Sequence, residues 1–163
     1  INPRFSIRAT LSEPLENAGI PKSEREDRII KALELVRLPE PAQFLDRYPH
    51  QLSGGQLQRV VMARALILQP EFVVADEPVS MLDVSIRAEI LELLKKLVSE
   101  RGIAMLYITH DLLSARALAD DVTVLEGGRV MEQGPASQVI DNATHPYTKE
   151  LLAAIPDPFS RVG

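Results

Sequence analysis

The chain has 163 residues, 45% hydrophobic and 25% charged, the balance of one ordinary globular domain or two small lobes. Its formal net charge of −5, from 18 basic and 23 acidic side chains, argues against a surface that wraps nucleic acid. With no cysteine, disulfides, cysteine-ligated zinc and iron–sulfur clusters are excluded within the chain, and no apolar run approaches the roughly 20 residues that cross a bilayer.

The opening Ile1-Asn2-Pro3-Arg4 resembles neither a signal peptide nor an initiation site and reads as a cut edge. Residues 1 to about 70 are expected to be helical. Ile29, Ile30, Leu33 and Val36 recur at helical spacing within Arg25 to Val36, and Pro39 and Pro41 break the pattern. Ser53 to Leu68 forms a further helix through Leu57, Val60, Val61, Ala65 and Leu68, with Pro70 as its stop.

Residues 71 to about 135 read as α/β. Phe72 to Ala75 is a short, continuously apolar strand, the pattern of a sheet covered on both faces. Val84 to Glu100 is an amphipathic helix with Ile86, Ile90, Leu93, Leu94 and Leu97 inward. Glu92 and Lys96 form an i,i+4 pair on it, and Gly102 supplies its stop. Ile103 to Thr109 is a second buried strand, so strand, helix and strand predict a right-handed parallel crossover. Val122 to Leu125 and Arg129 to Glu132 flank Gly127-Gly128, a hairpin signal. Residues 136 to 163 are a tail, in which Thr144-His145-Pro146 opens a short helix, Tyr147 to Ile155, that Pro156-Asp157-Pro158 stops.

Four places carry chemistry. The first is Leu52-Ser53-Gly54-Gly55-Gln56. Ser53-x-x-Gln56 is a capping box, and taken alone that structural role outweighs phosphate binding. Two glycines in a first helical turn each cost about 1 kcal/mol against alanine, which shifts the balance towards something that approaches the backbone closely. An anion at the positive end of the helix is the natural candidate. The second place is Asp76-Glu77, where an apolar strand ends in two carboxylates. Such a pair is often a solvated turn, but ligands of parallel sheets bind at the carboxyl ends of strands, and with phosphate and metal nearby one acid there can serve as a Mg²⁺ ligand and its neighbour as a water-activating base. The third is His110, which ends the second strand and is expected on the same sheet edge as Asp76 and Glu77. The fourth is Ser80-Met81-Leu82-Asp83, an N-cap region compatible with an intersubunit contact. His50 reads as loop, His145 as a helix start, and Arg59 and Arg64 as a solvated face or partners of nearby acids.

In this order and spacing the four resemble the ATP-binding cassette (ABC) superfamily. The resemblance labels Leu52–Gln56 the signature motif, Phe72–Glu77 Walker B, Ser80–Asp83 the D-loop and His110 the H-loop. Arg47-Tyr48-Pro49-His50-Gln51 before the signature and His145-Pro146-Tyr147-Thr148-Lys149 in the tail are similar to the oligopeptide, dipeptide and nickel importer ATPases, as is Asn2-Pro3-Arg4 to the segment after that group's Q-loop. The fold implied is α/β: a truncated P-loop NTPase (ABC ATPase-like) parallel sheet with helices, plus a helical signature subdomain. Its divisions are 1–70 (helical subdomain), 71–135 (C-terminal half of the nucleotide-binding core) and 136–163 (peptide-importer-type extension).

The resemblance also implies roles. Glu77 is the general base and His110 a γ-phosphate contact. Ser53, Gly54, Gly55 and Gln56 reach a nucleotide on the facing subunit, Asp83 couples the two sites, and Asp76 holds Mg²⁺. The cofactors implied are ATP and Mg²⁺. The partners are a second ABC ATPase subunit, identical or different, and transmembrane permease subunits, with no nucleic acid, at the inner face of the cell membrane. No Gly-x-x-x-x-Gly-Lys-Ser/Thr loop occurs, and Lys22, Lys31, Lys95, Lys96 and Lys149 all lack that glycine frame, so the resemblance implies that the chain as given does not bind ATP alone. The expected function is the ATPase subunit of an ABC importer for peptides or a similar solute. Two alternatives stand beside it: a non-transport ABC ATPase of DNA repair or translation, and a binding-only module that completes a partner's ATP site. Finally, the Ala104 to Thr109 strand is expected to present an open hydrophobic edge and to promote self-association.

Overall fold

A computed structural model describes residues 1–80 and 82–155. Met81 and the expected stop at Pro156-Asp157-Pro158 lie outside the described residues. The chain divides into two compact units, Ile1–Leu106 and Tyr107–Gly163.

The first unit begins with helix α1 (Ile7–Asn17), capped by Ser6, whose hydroxyl accepts from the Ala9 N–H at 3.3 Å. Helix α2 (Lys22–Leu35) follows, then short 3₁₀ turns at Pro41–Phe44 and Pro49–Gln51, and helix α3 (Gly54–Leu66). Ile7, Leu11 and Leu15 of α1, Ile29 and Leu33 of α2 and Val60 of α3 are all buried, and the three helices pack on one another. This recurrence every three or four residues is what forces three amphipathic helices into one cluster.

Pro14 lies inside α1, where it has no N–H to give the carbonyl of Thr10 four residues back. Arg64 of α3 supplies the missing donor, Nε to Thr10 O at 3.3 Å, and its other end meets Glu13 at 2.7 Å. Arg59 is tied equally firmly, to the Val36 carbonyl at 2.7 Å and Glu89 at 2.6 Å. Both arginines are therefore structural partners of acids and carbonyls, as the sequence suggests.

Strand β1 (Phe72–Asp76), helix α4 (Val84–Arg101) and strand β2 (Ala104–Ile108) follow. β1 and β2 are neighbours in a parallel pair, with Ala104 N–H on the Glu71 carbonyl at 2.9 Å. Gly102 ends α4 in the left-handed region at φ 65°, and Glu92 and Lys96 stand 3.3 Å apart, both as expected. Two expectations need correcting. α3 ends at Leu66, with Gln69 at φ 53° turning the chain before Pro70 is reached. Nor is the strand pair covered on both faces. Ala75 is buried, but Phe72, Val74 and Leu106 are 56%, 55% and 49% exposed. Burial alternates along both strands, Val73, Ala75 and Met105 being more covered than the residues beside them.

The second unit holds helix α5 (Leu112–Leu118), strands β3 (Asp121–Glu126) and β4 (Arg129–Pro135), and helices α6 (Ala136–Asp141) and α7 (Pro146–Ala153). β3 and β4 pair antiparallel from Asp121↔Pro135 to Glu126↔Arg129, with an irregularity between Val124 and Leu125. Gly127 and Gly128 turn the hairpin at φ 54° and 77°, the double positive φ of a type I′ turn. Besides the expected helix at α7, a further one is present: α6 buries Ala136, Val139 and Ile140, and Asp141 binds Arg116 of α5 by both carboxylate oxygens, at 2.8 to 3.1 Å.

Candidate functional site

Ser53 caps α3 with both halves of the box. Its hydroxyl accepts from the Gln56 N–H at 3.3 Å, and the Gln56 side chain accepts from the Ser53 N–H at 3.0 Å. The Ser53 N–H is thus engaged, but its hydroxyl hydrogen is not. The Gly54 and Gly55 N–H groups belong to the first turn and lack an intrahelical acceptor. One hydroxyl and two amides at the positive end of a helix dipole form a donor set that fits a phosphate oxygen.

The two glycines do different work. Beside Gly54, only Leu82 approaches the place of a Cβ, at an ordinary 3.8 Å, and the residue is exposed. Gly55 is buried beneath Ile86 of α4, whose Cγ2 and Cδ1 would stand 2.9 and 3.0 Å from a Cβ. The close approach that sequence reasoning assigned to a ligand is at Gly55 met by a side chain of the same unit. The 3₁₀ turn just before the signature is also fixed, since the Tyr48 N–H donates to Gln51 Oε1 at 2.8 Å and the Tyr48 and His50 rings stack at 5.8 Å.

Asp76 is the last residue of β1, and Glu77 follows it at φ 45°, both exposed. Left-handed φ is unfavourable for glutamate and worse before a proline, and such strain gathers at functional sites. Three hydrogen bonds hold the loop there. Ser80 gives its N–H and hydroxyl to the Glu77 carbonyl, at 3.1 and 2.9 Å, and Gln58 of α3 gives its side-chain amide to the Pro78 carbonyl at 2.7 Å. Gln58 was missed by sequence reasoning. The signal was present as an amide on a helix face otherwise carrying Val61, Met62 and Ala65.

Asp83 occupies the N-cap position of α4 but makes no side-chain capping bond, so its exposed carboxylate is not spent on the helix. Among the described residues no group of three or more His, Asp or Glu side chains gathers to hold a metal ion. Mg²⁺ does not require one, because it is bound by one or two carboxylates together with water and phosphate oxygens, a donor set that Asp76 fits.

His110 lies in the second unit, exposed in the turn between β2 and α5. A dense polar network sets that turn. Asp111 caps α5 by accepting from the Leu113 and Ser114 N–H groups at 3.0 and 3.3 Å. Thr109 accepts the Asp111 N–H at 3.0 Å, and the buried Ser114 takes the Tyr107 hydroxyl at 3.0 Å. In the same unit His145 is the N-cap of α7, as expected, its Nδ1 accepting from Tyr147 N–H at 3.2 Å. Glu132 of β4, also missed, accepts from the Thr144 N–H and hydroxyl, both at 2.8 Å, and from the His145 N–H at 3.3 Å.

A family model described as ABC transporter matches residues 1–80. Those residues, 80 of the chain's 163, carry the pattern of that family. The chain's C-terminal part, residues 131–161, matches the oligopeptide/dipeptide transporter C-terminal region. It is 47% identical over 157 residues to the dipeptide transport ATP-binding protein DppF of Haemophilus influenzae, covering 96% of this chain and 47% of the relative. It is 42% identical over 160 residues to the oligopeptide transport ATP-binding protein OppF of Bacillus subtilis, covering 97% and 52%. The chain thus spans about half the length of the curated relatives it matches. Among solved structures, the dimeric bacterial ABC transporter cassette MJ0796 superposes with a TM-score of 0.72 at 33% identity, over 83% of this chain and 59% of that one, and a second structure of it holds ADP and Pi. The fold is that of ABC ATPase cassettes.

Proposed function

We propose that the protein is the ATP-hydrolysing subunit of an ABC importer for peptides or a similar solute. The observation that carries this is the pairing, within one compact unit, of a serine-capped, glycine-opened helix with a strand ending in Asp76 and a strained Glu77. The peptide class is supported by the C-terminal match and by the transporters named among the relatives.

In this reading Asp76 holds Mg²⁺, which when bound neutralises phosphate charge. Glu77 takes the proton of the attacking water. His110 contacts the γ-phosphate. Ser53, Gly54, Gly55 and Gln56 form the phosphate-facing end of α3 and serve the nucleotide of a facing cassette, identical or different, and Asp83 links the two sites. This is stabilisation of phosphoryl transfer by prearranged donors and charge. Residues 1–70 meet transmembrane permease subunits, 71–135 form part of the nucleotide core and 136–163 are the importer-type extension. In the same reading the chain attaches to the permease subunits at the inner face of the membrane; no helix among the described residues is long and apolar enough to cross one. The test is Glu77→Gln in the full-length protein. It should bind MgATP as wild type does and turn it over about a hundredfold more slowly or less; wild-type turnover removes Glu77 from this role.

A further inference from the structure

We infer that Gln58 is a positioning residue for Glu77, coupling the phosphate-facing helix to the carboxylate loop; this rests on Glu77 being the base. Gln58 lines an apolar groove between α3, β1 and α4, walled by Val61, Met62, Val73, Leu94 and Leu97, in which Asp76 is the other polar side chain. An apolar residue would satisfy packing there. An amide adds one thing, a donor, and it is used on the Pro78 carbonyl at 2.7 Å. Pro78 is buried, and a buried carbonyl needs a partner. In an apolar groove that bond is strong and its loss costly.

The location of the bond gives it its consequence. Glu77 is held at φ 45° between β1 and Pro78, so its backbone will relax unless the turn that follows it is fixed. Ser80 fixes the Glu77–Pro78 peptide, through the Glu77 carbonyl. Gln58 fixes the next peptide along, Pro78–Val79, through the Pro78 carbonyl, and does so from α3, five residues along from the Ser53 cap. The direction of the Glu77 side chain is thereby set relative to the helix that carries the Ser53 hydroxyl and the Gly54 and Gly55 amides.

The experiment compares Gln58→Leu and Gln58→Glu with Glu77→Gln and the double variants, in the full-length protein assembled with its partners. Leucine keeps the volume and suits the groove, and glutamate keeps the shape, so at least one folded variant without the donor is secured; thermal melting checks it. The expected result is a kcat about tenfold or more below wild type with KM for MgATP within about twofold, since misplacing a reacting group acts on turnover. Gln58→Leu should add nothing in the Glu77→Gln background. If Gln58→Leu keeps wild-type kcat while Glu77→Gln is slow, or if the two losses multiply, the coupling is refuted and the role of Glu77 stands. If Glu77→Gln itself turns over normally, both are refuted.

Discussion

Gly55 of α3 and Ile86 of α4 are in such close contact that a single methyl on the glycine would come within 2.9 Å of Ile86 Cγ2. The contact joins the helix that opens at the signature to the helix that follows the carboxylate loop. Arg59 with Glu89 and Gln58 with Pro78 join the same elements, so α3 and the segment from Asp76 to α4 are held together at three points.

Gly55→Ala should therefore be destabilising although alanine is the better helix former. Ile86 is β-branched and stiff at χ1, so it retreats only by moving α4, and overpacking of this kind costs about 1–3 kcal/mol. Ile86→Ala removes the obstructing atoms. In the double variant most of the loss in melting temperature caused by Gly55→Ala should be recovered, measured against Ile86→Ala alone. Simple additivity in that cycle would mean that the two side chains do not meet.

Arg64 offers a second test of the helical cluster. It repairs the hydrogen-bond gap that Pro14 opens at the Thr10 carbonyl. Arg64→Met should leave that carbonyl without its donor and cost about 1–3 kcal/mol in denaturant unfolding. Restoring the helix bond by Pro14→Ala should make the same arginine substitution nearly harmless. An equal loss in both backgrounds would show that Arg64 acts through Glu13 alone.

Local signals made much of this fold legible in the sequence. Gly127-Gly128 dictated a type I′ turn, Gly102 a left-handed stop, and Ser53-x-x-Gln56 a reciprocal cap, because each depends on residues next to one another. What was not legible depends on distant partners. Gly55 looked like room for a ligand until Ile86, 31 positions on, was seen to fill it. Gln58 carries no local signal, because its partner Pro78 lies 20 positions on. Phe72 to Ala75 reads as a strand covered on both faces because its composition is apolar, yet composition does not say how many neighbours are present to bury it. Helix α5 is short and α6 shorter still, too brief for periodicity to declare.

Glu132 gives a pH signature to the C-terminal extension. Its carboxyl is lowered to about 2, chiefly by Thr148, whose buried hydroxyl lies near it without full hydrogen-bond geometry, and then by the Thr144 N–H, with further bonds from the Thr144 hydroxyl and the His145 N–H. A depressed carboxyl stabilises the fold above its unfolded value and loses that contribution as pH falls towards the folded one. The docking of α7 should thus be intact above the ordinary value of 4.5 and weaken progressively from there down to about 2. Glu132→Gln should speed hydrogen exchange at the Thr144 and His145 amides at neutral pH and converge with wild type near the bottom of that window. Identical exchange in the two proteins at neutral pH would remove Glu132 as the anchor.

The uncovered face of the strand pair governs how this 163-residue chain behaves alone. Phe72, Val74 and Leu106 are each about half exposed on neighbouring strands, and contiguous apolar surface on a short sheet invites pairing with another copy. The chain should self-associate in a concentration-dependent way, visible as a rising mass in light scattering. Phe72→Thr with Val74→Thr keeps strand propensity while removing most of the apolar area, and should shift the distribution towards monomer without lowering helix content. A monodisperse monomer from the unsubstituted chain at high concentration would mean that the face is not sticky. Unchanged association in the double variant would move the contact to another surface, with the edge of β2, where backbone groups and not side chains would make the bonds, as the next place to test.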